Sequence, residues 1–553
     1  MPQHFSFSTP YASARLPLFA RNVVATSHPL AAQAGLRMLA HGGNAVDAAI
    51  ATAAAMTVLE PCSNGLGSDA FCILWDGQQL HGLNASGRAP AAWTPDYFSR
   101  KHGYGAATPP VRGWDTVTVP GAVAAWAALH ERYGHLPFAD LMAPAGDIAE
   151  RGYAVPVVVQ QKWAAAARVQ ALVEQPGFAP TFLPKGRAPE VGELFRMPGA
   201  ARALRAIGAT AGRAFYEGEI AQALVRAAQA QGGAMTGADL AAYQPEWVTP
   251  IAQGYAGHHL HEIPPNGQGI TALIALGLLQ RFDLAGLPVD SAEAHHLQIE
   301  AIKLAFADVY RHVAEPGSMA MPAEALLDPA YLAQRAQLIN PKRAQIFSAG
   351  SPNDVHRRGG TIYLTAADEH GMMVSFIQSN YMGFGSGVVI PEYGVSLQNR
   401  GHGFSLVPAS PNVVAPGKRP FHTIIPAFLT QNGQPVMSFG VMGANMQPQG
   451  HVQTLLRMLH HGQNPQTACD APRWRFNQGL SINVEAHLPD QTVQGLRERG
   501  HQIEALSDSY QDFGAGQFIW RLGADGNEDA GAAAERGYLA ASDPRRDGAA
   551  VGF

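Results

Sequence analysis

Three cysteines in 553 residues, Cys62, Cys72 and Cys469, are too few for a disulfide framework. No two of them form a CxxC pair, which predicts free or buried thiols in a reducing compartment. Basic charge is also scarce: 38 Lys and Arg stand against 43 Asp and Glu, a formal net charge of −5. A general nucleic-acid binder needs a basic face, and this balance argues against one. Long apolar runs are missing as well. The longest, "AVDAAIATAAAMTVLEP" (45–61), carries Asp47 and is too short and alanine-rich to span a membrane. The first residues, "MPQHFSFSTPYASARLPLFARN", lack the positive start and apolar core of a secretory signal. The expectation is a soluble, cytoplasmic protein with neither a nucleic-acid nor a membrane partner.

Several catalytic signatures are absent too. The string nearest to a nucleophile elbow, "GFGSG" (383–387), has its serine one place late for G-x-S-x-G. "SNGLGSD" (63–69) is glycine-rich, but no Lys-Ser/Thr follows, so neither stretch is a phosphate loop. Both read as places where backbone must approach something closely. The histidine clusters "HHLHE" (258–262) and "HHLQIE" (295–300) put His296 and Glu300 on one helical face, but HExxH and a third ligand at helical spacing are lacking. Surface or capped histidines are the expectation, with no metal and no cofactor.

What is present is a layered mixture of helices and strands. "NVVATS" (22–27) reads as a strand, with Ser27 capping a helix that has Pro29 in its first turn and stops at Gly42-Gly43. Asn44 caps a second helix, apolar almost all round and therefore central, that ends at Glu60-Pro61. Residues 70–86 read as a hairpin about an Asp-Gly turn, and 121–134 and 291–312 as helices of period 3.6. Further strands fall in 423–441 about Gln431-Asn432-Gly433, followed by a helix over "PQGHVQTLLRMLHHG". Strands and helices come in clusters without regular βαβ alternation, which predicts a layered α+β fold.

One stretch stands apart. "HRRGGTIYLTAADEHG" (356–371) runs two glycines into a β-type segment. "TIYLTAAD" and "MMVSFIQSN" form a hairpin pattern around "EHG", in a register that sets Thr361 opposite Ser379. Side chains so opposed lie about 5 Å apart at Cβ, close enough for their hydroxyls to meet. The junction fits an ordinary turn, as most Gly-Gly-Thr strings are, and it also fits a scissile bond. A mid-chain threonine is a poor nucleophile. At a free N-terminus its own α-amine acts as base, with a pKa of about 7.7–8.0, near working pH. Glycines before the bond relieve conformational and steric limits on the attack.

The strings "GGNAVDAAIA", "VPGAVAAWAALHERYG", "IPPNGQG", "EAIKLAFAD", "GGTIYLTAADEHG", "FGSGVV", "APGKRPFHTIIPAF" and "APRWRF" follow one another in this order. On them the chain, from about residue 20 to 510, resembles the γ-glutamyltransferase family of N-terminal-nucleophile hydrolases. The resemblance implies a four-layer αββα sandwich. It implies self-cleavage between Gly360 and Thr361, giving a large subunit 1–360 and a small subunit 361–553. These two would form a heterodimer within one catalytic domain, open to further dimerisation. It also implies an acyl-enzyme on Thr361, formed from a small amide or peptide substrate bearing a carboxylate and resolved by water or an amino-acid acceptor.

Other roles follow from the same resemblance. Ser379 stands where the family has a threonine supporting the nucleophile. Gly443-Ala444 match a Gly-Gly pair whose N–H groups form the oxyanion hole, each donor worth on the order of 3 kcal/mol. Arg88 resembles the arginine that holds the glutamyl α-carboxylate, and Asn380, Tyr381, Asn399, Arg400, His422 and Thr423 fall in the substrate pocket.

The departures are informative. "QNRGHGF" (398–404) replaces "NNQMDDF", so the acid that pairs with the glutamyl α-amine becomes Gly403 and a glutamine becomes Arg400. His422-Thr423 replace paired serines, and the segment between Phe404 and "GKRP" is too short for the lid of typical transpeptidases. Hydrolysis of γ-glutamyl compounds such as glutathione is expected over transfer. The alternative is an acylase for glutaryl-type or small oxo-acid amides that lack the α-amine. A metallohydrolase or binding protein built on the histidine clusters, with Thr361 incidental, is the reading from a different class.

Overall fold

A computed structural model describes residues 15–348, 359–506, 513–523 and 536–553. His356, Arg357 and Arg358, just before the glycine pair, lie outside them. Two seven-stranded sheets, both antiparallel throughout, make the centre of the molecule. The first runs Leu18–Ala20, Tyr538–Ser542, Ala515–Arg521, Gln434–Met442, Ala427–Gln431, His258–Glu262, Ile251–Tyr255. The second runs Ala549–Gly552, Val23–Thr26, Gly359–Ala367, Met373–Met382, Asp69–Trp75, Leu80–Ala85, Glu246–Val248.

Side chains from both sheets, among them Phe71, Tyr363, Ile377, Phe428, Met442 and Ile519, form the core between them. Helices Pro29–Ala40 and Ala45–Leu59 cover the outer face of the second sheet, and Ile270–Leu279, Ala292–His312 and Met446–His461 that of the first. The layers are thus helix, sheet, sheet, helix, the αββα sandwich expected from the sequence.

The helix Ala45–Leu59 is buried along its whole length, and Asn44 caps it in a reciprocal box with Asp47. The preceding helix departs from expectation: His28, not Ser27, caps it, its ring accepting the Leu30 N–H. Ser27 instead donates to buried Glu60. The glycines of 63–69 and 383–387 do make room for backbone. A Cβ on Gly67 would lie 2.4 Å from the Ser396 carbonyl oxygen, and one on Gly385 2.3 Å from the Leu397 carbonyl oxygen.

The histidines of 295–296 are not on the surface. His295 and His296 are buried, and His296 is held by the Asn340 carbonyl and by His501, which arrives from the far end of the sequence. Glu300 completes this group, but Lys303 Nζ sits 2.6 Å from its carboxylate, so an internal cation already balances it. No helix among the described residues is long and apolar enough to cross a membrane.

Candidate active site

The hairpin of Gly359–Ala367 and Met373–Met382 pairs Ile362 with Gln378 through Ala367 with Met373, the register read from the sequence. At its open end Gly360 pairs with Tyr381, so Thr361 faces both Ser379 and Asn380 across a bulge. Strand alternation fixes where Thr361 points. Ile362, Leu364 and Ala366 face the outer helices, while Tyr363 faces the other sheet. Thr365 Oγ1 meets Ser438 Oγ at 2.6 Å, and Tyr363 packs under Gly440. The strand Gln434–Met442 that this inward row faces ends in a turn at Gly443 and Ala444.

Thr361 is 2% exposed, and its hydroxyl donates to Ser379 Oγ at 3.2 Å. Ser379 in turn donates to the carbonyl oxygen of Gly360 at 2.7 Å and accepts the Tyr381 N–H at 2.8 Å. One hydroxyl therefore contacts both the Thr361 side chain and the carbonyl of the Gly360–Thr361 peptide. Glycine is required at 360 for a steric reason: a Cβ there would lie 2.7 Å from the Cys62 carbonyl oxygen.

Gly443 and Ala444 both have positive φ, +129° and +52°. Alanine therefore does occupy the left-handed region here, at a cost of roughly 1 kcal/mol. The Ala444 carbonyl is anchored by the Gln447 N–H and by Gln268 Nε2 at 3.0 Å. The same Gln268 amide donates to the Thr423 carbonyl at 2.6 Å. Two carbonyl neighbours admit only the amide nitrogen on that side. Gln268 thus ties the 443–444 turn to the loop bearing His422 and Thr423.

Arg400 is 1% exposed. Its Nη1 donates to Thr423 Oγ1 at 2.8 Å, and its guanidinium carbon lies 4.6 Å from the centroid of the Tyr381 ring. Tyr381 is itself held at a φ of +76°, an uncommon conformation for a bulky residue. Burial pushes the Arg400 guanidinium down to about 10, which leaves it charged at neutral pH.

His422 is fully buried, with its ring N–H on Asp69 Oδ2 at 3.1 Å and its other nitrogen facing the Ile424 N–H. Burial, with Arg400 and Arg419 nearby, holds this imidazole well below its usual range, so it is neutral. Burial pushes the Asp69 carboxyl up to about 7, against the N–H groups of Gly87 and Gly121 and the charges of Arg400 and Arg419.

The remaining expected residues sit differently. Asn380 bridges Ser68 and Ser396, and Asn399 bridges the Met382 N–H and the Val111 carbonyl, so both amides brace loops. Arg88 is 38% exposed and bonds Glu315 and the Gly417 carbonyl, each at 2.9 Å. Asp69 and Gln268 were passed over in the sequence, although Asp69 closes "SNGLGSD" and Gln268 lies within "IPPNGQG", two glycine-containing strings that stood out there.

Comparison with known proteins places this geometry. A family model described as gamma-glutamyltranspeptidase matches residues 31–553. The glutathione hydrolase-like YwrD proenzyme of Bacillus subtilis (strain 168) is 36% identical over 542 residues, covering 96% of this chain and 98% of that one. The oxamate amidohydrolase proenzyme of Klebsiella pneumoniae is 34% identical over 541 residues, covering 95% and 97%. Among solved structures, the cephalosporin acylase from Bacillus halodurans superposes with a TM-score of 0.92 at 46% identity, covering 100% of this chain and 99% of that one. A family match over nearly the whole sequence joins relatives of full length and a sandwich that superposes throughout, so the chain belongs to the γ-glutamyltranspeptidase family and is an enzyme of the N-terminal-nucleophile hydrolase class.

Proposed function

We propose that the chain cleaves itself between Gly360 and Thr361 and that the freed Thr361 then hydrolyses amides through an acyl-enzyme. The observation that carries this reading is the relay Thr361 Oγ1 to Ser379 Oγ to Gly360 O. In the uncut chain Ser379 polarises the carbonyl that Thr361 must attack. Attack forms an ester on Oγ1 and breaks the peptide C–N bond, and the α-amine takes up a proton as the leaving group. Water then hydrolyses the ester and leaves Thr361 with a free amine, the base for later turnovers. In each turnover the substrate's acyl carbon occupies the place vacated by the Gly360 carbonyl. The N–H groups of Gly443 and Ala444 receive the developing oxyanion.

Hydrolysis is favoured over transfer, because the segment after Phe404 is a short loop closed by the Ser405–Val413 bridge, too short to form the lid of typical transpeptidases. γ-Glutamyl compounds such as glutathione are one acyl class for this machinery. The second is glutaryl-type or small oxo-acid amides, and the relatives' names span both. A specific observation favours the second: a Cβ on Gly403 would lie 2.8 Å from the Phe421 carbonyl oxygen, so the position expected to bind an α-amine has no room for an acid.

Intact mass and N-terminal sequencing test the reading directly. Purified protein is expected to yield a fragment beginning Thr-Ile-Tyr-Leu. Thr361→Ala should remain full length and lose activity on the order of 10⁶-fold in kcat, whereas Thr361→Ser should still process, more slowly. A wild type that stays uncut under all folding conditions rejects the proposal.

A further inference from the structure

We infer that the carboxylate of the acyl group is read by Arg400, supported by Thr423 and the face of Tyr381, and not by Arg88; this rests on the Thr361 acyl-enzyme reading. The starting point is an imbalance. Arg400 is buried, yet among the described residues its Nε and Nη2 have no hydrogen-bond partner. A guanidinium taken out of water needs an anion and full hydrogen bonding to compensate. Nε and Nη2 lie on one edge of the guanidinium plane and present two parallel N–H groups, the fork that grips a carboxylate with both oxygens. The opposite edge is fixed, with Nη1 on Thr423 Oγ1 and the plane over the Tyr381 ring, so the fork is already oriented.

Among the described residues no carboxylate is bonded to this edge. The acid whose charge reaches Arg400 is Asp69, and its oxygens accept from Gly87, Gly121 and His422. Position also matters. Tyr381 is the cross-strand partner of Gly360, the residue whose carbonyl the acyl group replaces. Arg400 therefore stands over the residue beside the acyl site. Arg88, by contrast, is engaged by Glu315 and a backbone carbonyl and is over a third exposed. The substrate class that follows is the monoamide of a dicarboxylic or oxo acid without an α-ammonium, which would face the Arg400 charge unpaired.

The test uses processed wild type, Arg400→Gln, Arg400→Lys and Arg88→Gln, with intact mass recorded for each. Substrates are glutaryl anilide, its methyl ester and γ-glutamyl anilide, and glutarate binding is measured by calorimetry. Wild type should prefer the free acid to the ester by roughly 10- to 100-fold in kcat/KM, the range for a charged hydrogen bond. In Arg400→Gln that preference should collapse to about twofold, chiefly through KM, and glutarate binding should weaken by a similar factor. Arg400→Lys should recover only part of both, because an ammonium cannot form the fork. The preference should survive in Arg88→Gln.

A preference that persists in Arg400→Gln, one that disappears in Arg88→Gln, or a wild type that favours γ-glutamyl over glutaryl anilide would overturn the inference. If Arg400→Gln fails to fold, the comparison of glutarate with its neutral diamide on the wild type decides: equal binding overturns it. Glutarate that binds through Arg400 in a protein that hydrolyses no anilide would uphold the pocket and sink the acyl-enzyme reading instead.

Discussion

The nucleophile hairpin and the Arg400 pocket adjoin through Tyr381, and they treat their polar groups in opposite ways. In the hairpin the relay is closed: Thr361 donates to Ser379, Ser379 donates to Gly360, and the Tyr381 N–H completes the serine. In the pocket two donor atoms of a buried cation face no acceptor among the described residues. A closed relay can act on the chain itself without any ligand, which is what a self-cleaving bond requires. An open fork has low energy only when an anion arrives, so it contributes to selection and not to cleavage. On the proposed reading the difference separates two tasks: self-cleavage is organised within one hairpin, and selection of the acyl group is assembled from loops.

This division can be broken experimentally, and the largest effect is expected in the hairpin. Ser379→Ala removes the donor to the Gly360 carbonyl and the acceptor of the Thr361 hydroxyl. Self-cleavage should slow by on the order of 10²-fold, followed as the decline of full-length mass with time. Normal processing in this variant would show that the relay does not set the chemistry.

A smaller effect, on stability, belongs to the pocket. Asp69 has a folded-state pKa raised to about 7 by burial, above its ordinary value of 3.8. Its contribution is therefore fully present below about pH 4 and is lost as pH rises through 7, where a buried charge must form. The Tm of the wild type relative to Asp69→Asn should fall by on the order of a few °C between pH 4 and 8. A flat difference would place Asp69 in a better-solvated environment.

The smallest change is expected at the Gly443-Ala444 turn. Ala444→Gly relieves the left-handed strain but adds unfolded-state entropy, so the denaturation midpoint should shift by no more than about 1 kcal/mol in equivalent stability. A larger loss would mean that the Ala444 methyl packs as a core group.

How much of this was legible depended on the sequence distance over which each contact forms. The hairpin register came from period-2 alternation and a Gly371 loop a few residues long, so Thr361 and Ser379 could be paired without a structure. A layered α+β fold could be expected from clustered strands and helices, and its four layers from the resemblance. The pocket was legible as a set of residues but not as a set of roles. Asn380 and Asn399 looked like substrate contacts, yet their partners Ser68 and Val111 lie hundreds of residues away and take up both amides. The bridge from Gln268 to Ala444, the pair of Asp69 with His422 and the approach of His501 to His296 are equally remote in sequence. The Ser27 and His28 exchange is local, and there the misreading came from chemistry: an imidazole nitrogen accepts an N–H as a serine oxygen does.

The strand order holds one more consequence. Val23–Thr26 lies between Ala549–Gly552 and Gly359–Ala367, while Leu18–Ala20 flanks Tyr538–Ser542 in the other sheet. Segments from before and after Gly360 thus pair with one another in both sheets, like the fingers of clasped hands. A cut at Gly360–Thr361 would produce two polypeptides but not two bodies. Neither could leave without exposing strand edges and half of a shared core, so the pair should denature together in a single transition, and each fragment made alone should aggregate until mixed with its complement.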